Sequence, residues 1–549
     1  MRSSTLKSLG HLSVVMTLMQ LGCSSGSKEP GANGGSNSAG TTTSGGISAT
    51  GGSSATAGSS ATAGTNAMGG TAMGGTAMGG NTAMGGNTAT GGNTAMGGIT
   101  ATGGITAKGG NTATGGTSAA AGGTNPTGGS SPGGAGSGGT NTAGTTGVGG
   151  GTPGTVNWGK EEDPSAGCAV NATLPAYADL KADGKLPDPF TKLDGTRIKD
   201  KSEWACRRAE IVKQHFKYVF GEKPIPAKGS VSGTVSTSKI SVKVTEGSKS
   251  ASFDVTVNMN GATAPAPAII IYDGGLGSSL PIPSGVAKIT MSAIEAQGGT
   301  GNKSGPFFTF YGANHPAGYM VAQAWQVSRI IDLLEQNPGT IDPYHIGVTG
   351  CSRNGKGAFA AGVFDNRIAL TIPCESGIGG TVGLRLKEQL DPGANDTAEW
   401  PYHAISYVRW LSEVALGPFA TANNAAGDNT DRLPVDMHEA MALIAPRALY
   451  IVDNPGISNL DPKSAYVTAM AGKAIFTALG VADNFAYQGA SGSHCQWRTQ
   501  YDASLTAMID RFLKGKDTTK TGNFATDLGS KPNTAQYYTW DAAELPGKL

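Results

Sequence analysis

Short apolar runs recur through the second half of the chain, each closed by a turn-forming segment. Ala268-Ile269-Ile270-Ile271-Tyr272 stops at Asp273-Gly274-Gly275, and His345-Ile346-Gly347-Val348-Thr349 stops at a glycine-rich turn. Ile368 to Pro373, Ala448 to Val452 and Phe485 to Tyr487 repeat the pattern. Continuous apolar runs this short predict strands buried on both faces. The segments between them change period. From Met320 to Gln336, residues Val321, Ala324, Trp325, Ser328, Ile331 and Leu334 fall near helical spacing. Strands alternating with helices predict a mostly parallel sheet with helices on both faces. Chemistry in such sheets gathers at the carboxyl ends of the strands. Those ends carry, in chain order, Ser352, Glu375, Asp453 and His494.

The first part of the chain has no such periodicity. Residues 1–23 place Arg2 and Lys7 before an apolar stretch ending in Leu21-Gly22-Cys23. This reads as an export signal, too short for a membrane span, with Cys23 in the lipidation position of a bacterial lipobox. Gln20 stands where an aliphatic residue is more usual. Residues 24–158 are mostly Gly, Thr, Ala, Ser and Asn with a TAMGG or NTAMGG repeat, and their only charges are Lys28, Glu29 and Lys108. Such a composition cannot offset the entropy of ordering, so the reading is a disordered tether, not a solenoid. Its reach would be on the order of 60–70 Å. Residues 165–516 form the expected catalytic domain and 517–549 a C-terminal tail. The expected location is therefore outside the cell, as a bacterial surface lipoprotein or a secreted protein, touching membrane only through a lipid.

The full chain of 549 residues has a formal net charge of +1. That gives no electrostatic case for nucleic acid. No cysteine or histidine cluster has zinc spacing, so no metal or other cofactor is expected. Six cysteines are present, at 23, 168, 206, 351, 374 and 495. If Cys23 carries lipid, an odd thiol remains.

The turn Gly350-Cys351-Ser352-Arg353-Asn354-Gly355-Lys356-Gly357-Ala358 lies between a strand and a small-residue helix. A serine at such a turn stands above the sheet edge, near the positive end of a helix dipole, where an α/β-hydrolase keeps its nucleophile. The second glycine comes one residue later than in the usual G-x-S-x-G. A serine needs a histidine base, and the base needs a carboxylate. His494 lies in a glycine-rich loop after the last expected strand, where that fold places the base. His11 belongs to the export signal, and His345 sits at the wrong end of its strand. His438 reads as structural, His315 and His403 as pocket candidates without further support, and nothing places His215. Both Glu375 and Asp453 can serve as the acid, and strand position alone favours Asp453 slightly. Cys351 adjoins the serine and Cys495 the histidine, so a bridge between them would tie the two loops together.

Several segments together resemble the glucuronoyl esterases of carbohydrate esterase family fifteen, over about Cys168 to Leu513. They are LPDPF at 186–190, WACRR at 204–208, AWQVSR at 324–329, VTGCSRNGKGA at 348–358, Glu375-Ser376-Gly377, ALIAPR at 442–447 and His494-Cys495. The resemblance implies an α/β-hydrolase fold and a Ser352–His494–Glu375 triad, with Asp453 as the fallback acid. It implies bridges Cys168–Cys206 and Cys351–Cys495, leaving Cys374 unpaired. Arg353 would stabilise the oxyanion, and Lys356 would donate to sugar oxygens. The implied substrate is an ester of 4-O-methyl-glucuronic acid, on glucuronoxylan, with a lignin alcohol, hydrolysed by a monomer. The sugar pocket departs from fungal members. Asn459 stands where they have a tryptophan, Gly383 and Ala465 where they have a further disulfide, and Thr397 and Tyr407 near a sugar-contacting glutamine and glutamate. The alternatives are an acetyl or feruloyl xylan esterase on the same fold, and a tethered glycan-binding surface protein that retains a hydrolase fold.

Overall fold

The computed structural model describes residues 159–273, 279–292, 303–390, 399–406, 409–420 and 429–549, with short strand segments between 61 and 108. The export signal with Cys23, and most of the expected tether, lie outside the described residues. The repeat contributes nine strands of two or three residues, Ala61–Thr62 through Thr106–Lys108, in three parallel three-stranded sheets. The expectation of a plain tether did not include them. Residues 1–139 and 140–549 form two separate compact units.

The second unit is built on one ten-stranded sheet. Its strands are β1 Val231–Val235, β2 Lys239–Glu246, β3 Lys249–Asn258, β4 Ala266–Tyr272, β5 Ala287–Met291, β6 Ile341–Cys351, β7 Ile368–Cys374, β8 Ala448–Asp453, β9 Phe485–Gly489 and β10 Phe524–Thr526. Their spatial order is β1-β2-β3-β5-β4-β6-β7-β8-β9-β10. Pairings β1/β2, β2/β3 and β3/β5 are antiparallel, and every later pairing is parallel. The helices that matter for the site are α1 Trp204–His215, α2 Pro306–Tyr311, α3 Tyr319–Gln336, α4 Arg353–Phe364, α5 Met437–Ala442, α6 Pro462–Ala478 and α7 Asp502–Phe512.

Alternation along the central strands feeds two cores, as a period of two requires. Ala268, Ile270 and Tyr272 point into a large core with residues of α1 to α6, whereas Ile269 and Ile271 join Leu505, Met508 and Ile509 of α7 on the other face. Leu449 and Ile451 against Tyr450 and Val452 repeat the split. The expected α/β-hydrolase, a mostly parallel sheet covered on both faces, is the fold observed. Among the described residues no helix is long and apolar enough to cross a membrane.

Two domain limits need correction. The chain enters the domain before 165: Glu162 is ion-paired with Lys223 and Arg329, and Arg367 is 3.5 Å away. The segment 517–549 is not a loose tail. Phe524–Thr526 extends the sheet beside β9, and Tyr537 and Leu545 are buried.

Candidate active site

The ends of β6, β7 and β8 are tied by backbone hydrogen bonds that set the site's frame. Ser352 N–H donates to the Cys374 carbonyl at 2.9 Å, and Glu375 N–H to the Val452 carbonyl at 2.7 Å. Ser352 takes φ 59° and ψ −126° at the junction of β6 and α4. Glu375 (φ 44°) and Cys495 (φ 56°) also lie in the left-handed region. Side chains with a Cβ rarely adopt it, and such strain collects at functional sites. The glycines beside the serine answer to close approach. A Cβ at Gly350 would sit 2.5 Å from the Asn354 carbonyl oxygen, and one at Gly355 would run into the Cys374 carbonyl oxygen. This places the second glycine at 355. Position 354 is held by an asparagine whose Nδ2 donates to the Asp273 carbonyl at 2.7 Å.

His494 follows β9 in the loop expected to hold the base. Its Nδ1 lies 2.7 Å from Glu375 Oε2. The imidazole is nearly half exposed, with 45% of its side-chain surface open, while Glu375 is buried at 1%. Glu375 Oε2 also accepts the Cys495 N–H at 2.8 Å. Its Oε1 accepts from Asn454 Nδ2 and from Arg498 Nη1, each at 3.3 Å. The buried carboxylate is thus paired on both oxygens, as a buried charge must be. It is already aimed at the imidazole.

Asp453, the fallback acid, is elsewhere engaged. Its Oδ1 accepts the Asn454 N–H at 2.9 Å and its Oδ2 the Tyr487 hydroxyl at 3.0 Å. Burial pushes its carboxyl up to about 6, against those two hydrogen bonds. The slight preference of strand position for Asp453 is corrected on this geometry: the side chain points to β9, and Glu375 reaches the histidine.

Cys351 and Cys495 are disulfide-bonded with Cα atoms 5.8 Å apart, so the residues flanking Ser352 and His494 are covalently joined. Cys495 Sγ lies 3.8 Å from His494 Nε2. Cys168 and Cys206 form the second bridge, and Cys374 is a buried free thiol, pushed up to about 12 by burial. The two bridged sulfurs and a Glu375 oxygen fall within 4.8 Å of one another, but both sulfurs are spent in the disulfide.

Arg353, the first residue of α4, is exposed beside the serine. Lys356, the expected sugar donor, has its ammonium engaged within the protein. The side chain is buried, with Nζ 2.6 Å from the Ser376 carbonyl, 2.8 Å from the Ile378 carbonyl and 2.8 Å from Glu399 Oε2. The ammonium also lies 4.1 Å from the centre of the Trp410 ring. Three donors thus have three acceptors. Burial lowers its affinity for the proton and Glu399 restores part of it. Asn459 is brought to the same corner: its carbonyl accepts the Glu399 N–H at 3.1 Å, and its buried Oδ1 has no partner among the described residues. Gly383 meets α6 next to Ala465: Ser464 Oγ donates to the Gly383 carbonyl at 3.3 Å. Thr397 and Tyr407 lie outside the described residues.

The other histidines among the described residues lie away from the pair. His438 Nε2 is 2.9 Å from the Pro187 carbonyl, and burial lowers the ring to about 4. His215 is buried and lowered to about 3 by the same cause. His345 meets Asp342 at the far end of β6. His315 Nδ1 accepts from Ala317 N–H and His403 Nδ1 from Trp400 N–H. Sequence reasoning missed Asn454, Arg498 and Asp527. Asn454 also bonds the Gly492 backbone through both its amide atoms, and Asp527 accepts from the Ser491 N–H at 2.8 Å.

A family model described as "Glucuronyl esterase, fungi" matches residues 242–480. The 4-O-methyl-glucuronoyl methylesterase of Hypocrea jecorina is 39% identical over 390 residues, covering 69% of this chain and 80% of its own. The chain belongs to the glucuronoyl esterase family. As a member it is a carboxylic ester hydrolase, with the fold already described. The glucuronoyl esterase crystal structure from Sporotrichum thermophile superposes with a TM-score of 0.61 at 37% identity, over 67% of this chain and 97% of that one. A serine-to-alanine mutant of that esterase has been crystallised with methyl 4-O-methyl-β-D-glucopyranuronate; it matches at 36% identity and TM-score 0.61, over 67% of this chain and 97% of its own.

Proposed function

We propose that this glucuronoyl esterase hydrolyses esters of 4-O-methyl-glucuronic acid, the side group of glucuronoxylan, releasing lignin alcohols. The observation that carries the reading is the buried, doubly anchored Glu375 at 2.7 Å from His494 Nδ1, with the histidine loop bridged to the residue beside Ser352. Ser352 attacks the uronic acyl carbon while His494 Nε2 takes the hydroxyl proton and returns it to the departing alkoxide. Water then attacks the acyl-enzyme, with the same histidine as base. Glu375 fixes the tautomer that leaves Nε2 free and stabilises the imidazolium. The Arg353 backbone N–H, at the first position of α4, and its guanidinium stabilise the tetrahedral oxyanion; one such donor is worth about 3–4 kcal/mol in serine hydrolases.

The sugar is received at the corner formed by Lys356, Glu399 and Asn459. A sugar hydroxyl reaching Lys356 has to share or displace the Glu399 contact. Asn459 offers an amide where a flat aromatic face would stack, so the sugar is held by hydrogen bonds and the alcohol side contributes more. The export signal and the two disulfides support function outside the cell. Cys23 would anchor the enzyme by lipid, and the repeat would set its distance from the membrane.

The test compares benzyl glucuronate with acetylated and feruloylated xylan. The reading requires efficient release of benzyl alcohol and little acetate or ferulate. Preference for acetylated or feruloylated xylan would assign another carbohydrate esterase, and binding without turnover would leave a glycan-binding protein.

A further inference from the structure

Arg498 lies four residues beyond the histidine, and its side chain is 12% exposed. Its guanidinium spans four acceptors. Nη1 donates to Glu375 Oε1 at 3.3 Å and to the Gln496 carbonyl at 3.0 Å. Nη2 donates to the Ser493 carbonyl at 3.2 Å and Nε to the Ser491 carbonyl at 3.3 Å. The plane lies over the Tyr501 ring, 5.9 Å from its centre. One side chain thus holds the acid and the carbonyls on both sides of the base.

We propose that Arg498 is a positioning residue for ester hydrolysis, fixing the Glu375 carboxylate and the His494 loop as one unit. The inference rests on the Ser352–His494–Glu375 reading and deepens it. Rigid planar guanidinium suits this task because several donors are satisfied in one geometry. A lysine would keep the charge and lose the fork.

The positive charge has a second consequence. The base must be neutral to take the serine proton, and a nearby cation opposes the imidazolium. Losing Arg498 removes that opposition, so the acid limb of the rate profile moves to higher pH. Other titratable groups face the pair from neighbouring elements. Asp453 acts from the end of β8, Cys374 from β7 itself, and Tyr501 from the turn before α7. The Lys356–Glu399 pair approaches through Ser376. Of these, Asp453 is pushed up to about 6, whereas Cys374 and Tyr501, each pushed up to about 12, stay neutral across the working range.

The test measures kcat/KM, KM and Tm against pH on benzyl glucuronate for the parent, Arg498→Met, Arg498→Lys and Glu375→Gln. The expected result for Arg498→Met is a loss of about tenfold or more in kcat, KM within about twofold, and an acid limb raised by about half a pH unit or more. Arg498→Lys should return the limb to its parent position while recovering only part of kcat. An unmoved limb in Arg498→Met, or losses in both variants that track Tm alone, would overturn the inference. Should the methionine variant fail to fold, Arg498→Gln is read against the lysine variant in the same way. Full activity in Glu375→Gln would instead overturn the triad reading on which this rests.

Discussion

At the scale of single residues, the two acids at neighbouring strand ends have different surroundings. Glu375 is buried with partners on both oxygens, the Arg498 guanidinium among them, whereas Asp453 is buried with two neutral donors. Its carboxyl, raised to about 6 in the fold, loses its proton near 4 when the chain unfolds. The unfolded state therefore releases the proton first, and stability falls as pH rises from about 4 to about 6. The cost above that window is on the order of 3 kcal/mol. Asp453→Asn should accordingly raise Tm relative to the parent more at pH 7.5 than at pH 4.5, with kcat nearly unchanged. Thermal melts at the two pH values check the sign; a stabilisation larger at pH 4.5 would contradict it. Arg353 belongs to this scale too. The ester carries no carboxylate charge for it to pair with, so its effect is concentrated on the oxyanion. Arg353→Ala should lower kcat strongly with a modest change in KM, and the free-acid product should inhibit the parent measurably. A change confined to KM, with no product inhibition, would make the arginine a ground-state sugar contact.

At the scale of elements, the serine turn was legible because its constraints are steric and local. Gly350 and Gly355 mark where α4 crosses the ends of β6 and β7, and only one residue type fits such contacts. The choice between Glu375 and Asp453 was not legible from strand order, because both follow parallel strands and only side-chain direction separates them. Strands β1 to β3 went unread although Ile240, Val242 and Val244 alternate with polar residues and point inward. Their runs are half polar, which is how an antiparallel edge with one wet face reads. Asn454 carried no signal at all, since a neutral amide becomes a clamp only when the β8 end meets the histidine loop. The Cys351–Cys495 bridge closes a separation of 144 residues, worth about 5 kcal/mol in the chain-entropy picture. Replacing both cysteines by alanine should lower Tm and reduce kcat more than KM, by loosening the base against the nucleophile. In the parent, thiol labelling of native protein should leave Cys374 unmodified and label it on unfolding. Labelling of Cys351 or Cys495 before reduction would contradict the pairing.

At the scale of the whole molecule, the second unit closes on itself through its C-terminal residues. Phe524–Thr526 completes the sheet, and Asp527 receives the Ser491 backbone and side chain from the histidine loop. The apolar residues beyond 516 are few and scattered, so nothing in their pattern separates them from a tail. Ending the chain at Lys516 should yield protein that is insoluble or inactive, whereas removing residues 1–158 should leave turnover of a small soluble ester unchanged. Activity and solubility of the two truncations decide whether 517–549 belongs to the catalytic unit. The central claim, a serine esterase acting on glucuronate esters through Ser352, is tested most directly by one comparison. Hydrolysis of methyl 4-O-methyl-glucuronate is measured for the parent and for Ser352→Ala with matched Tm. The expected loss in kcat/KM is about 10⁴-fold or more with the fold intact; turnover within about tenfold of the parent would contradict the account.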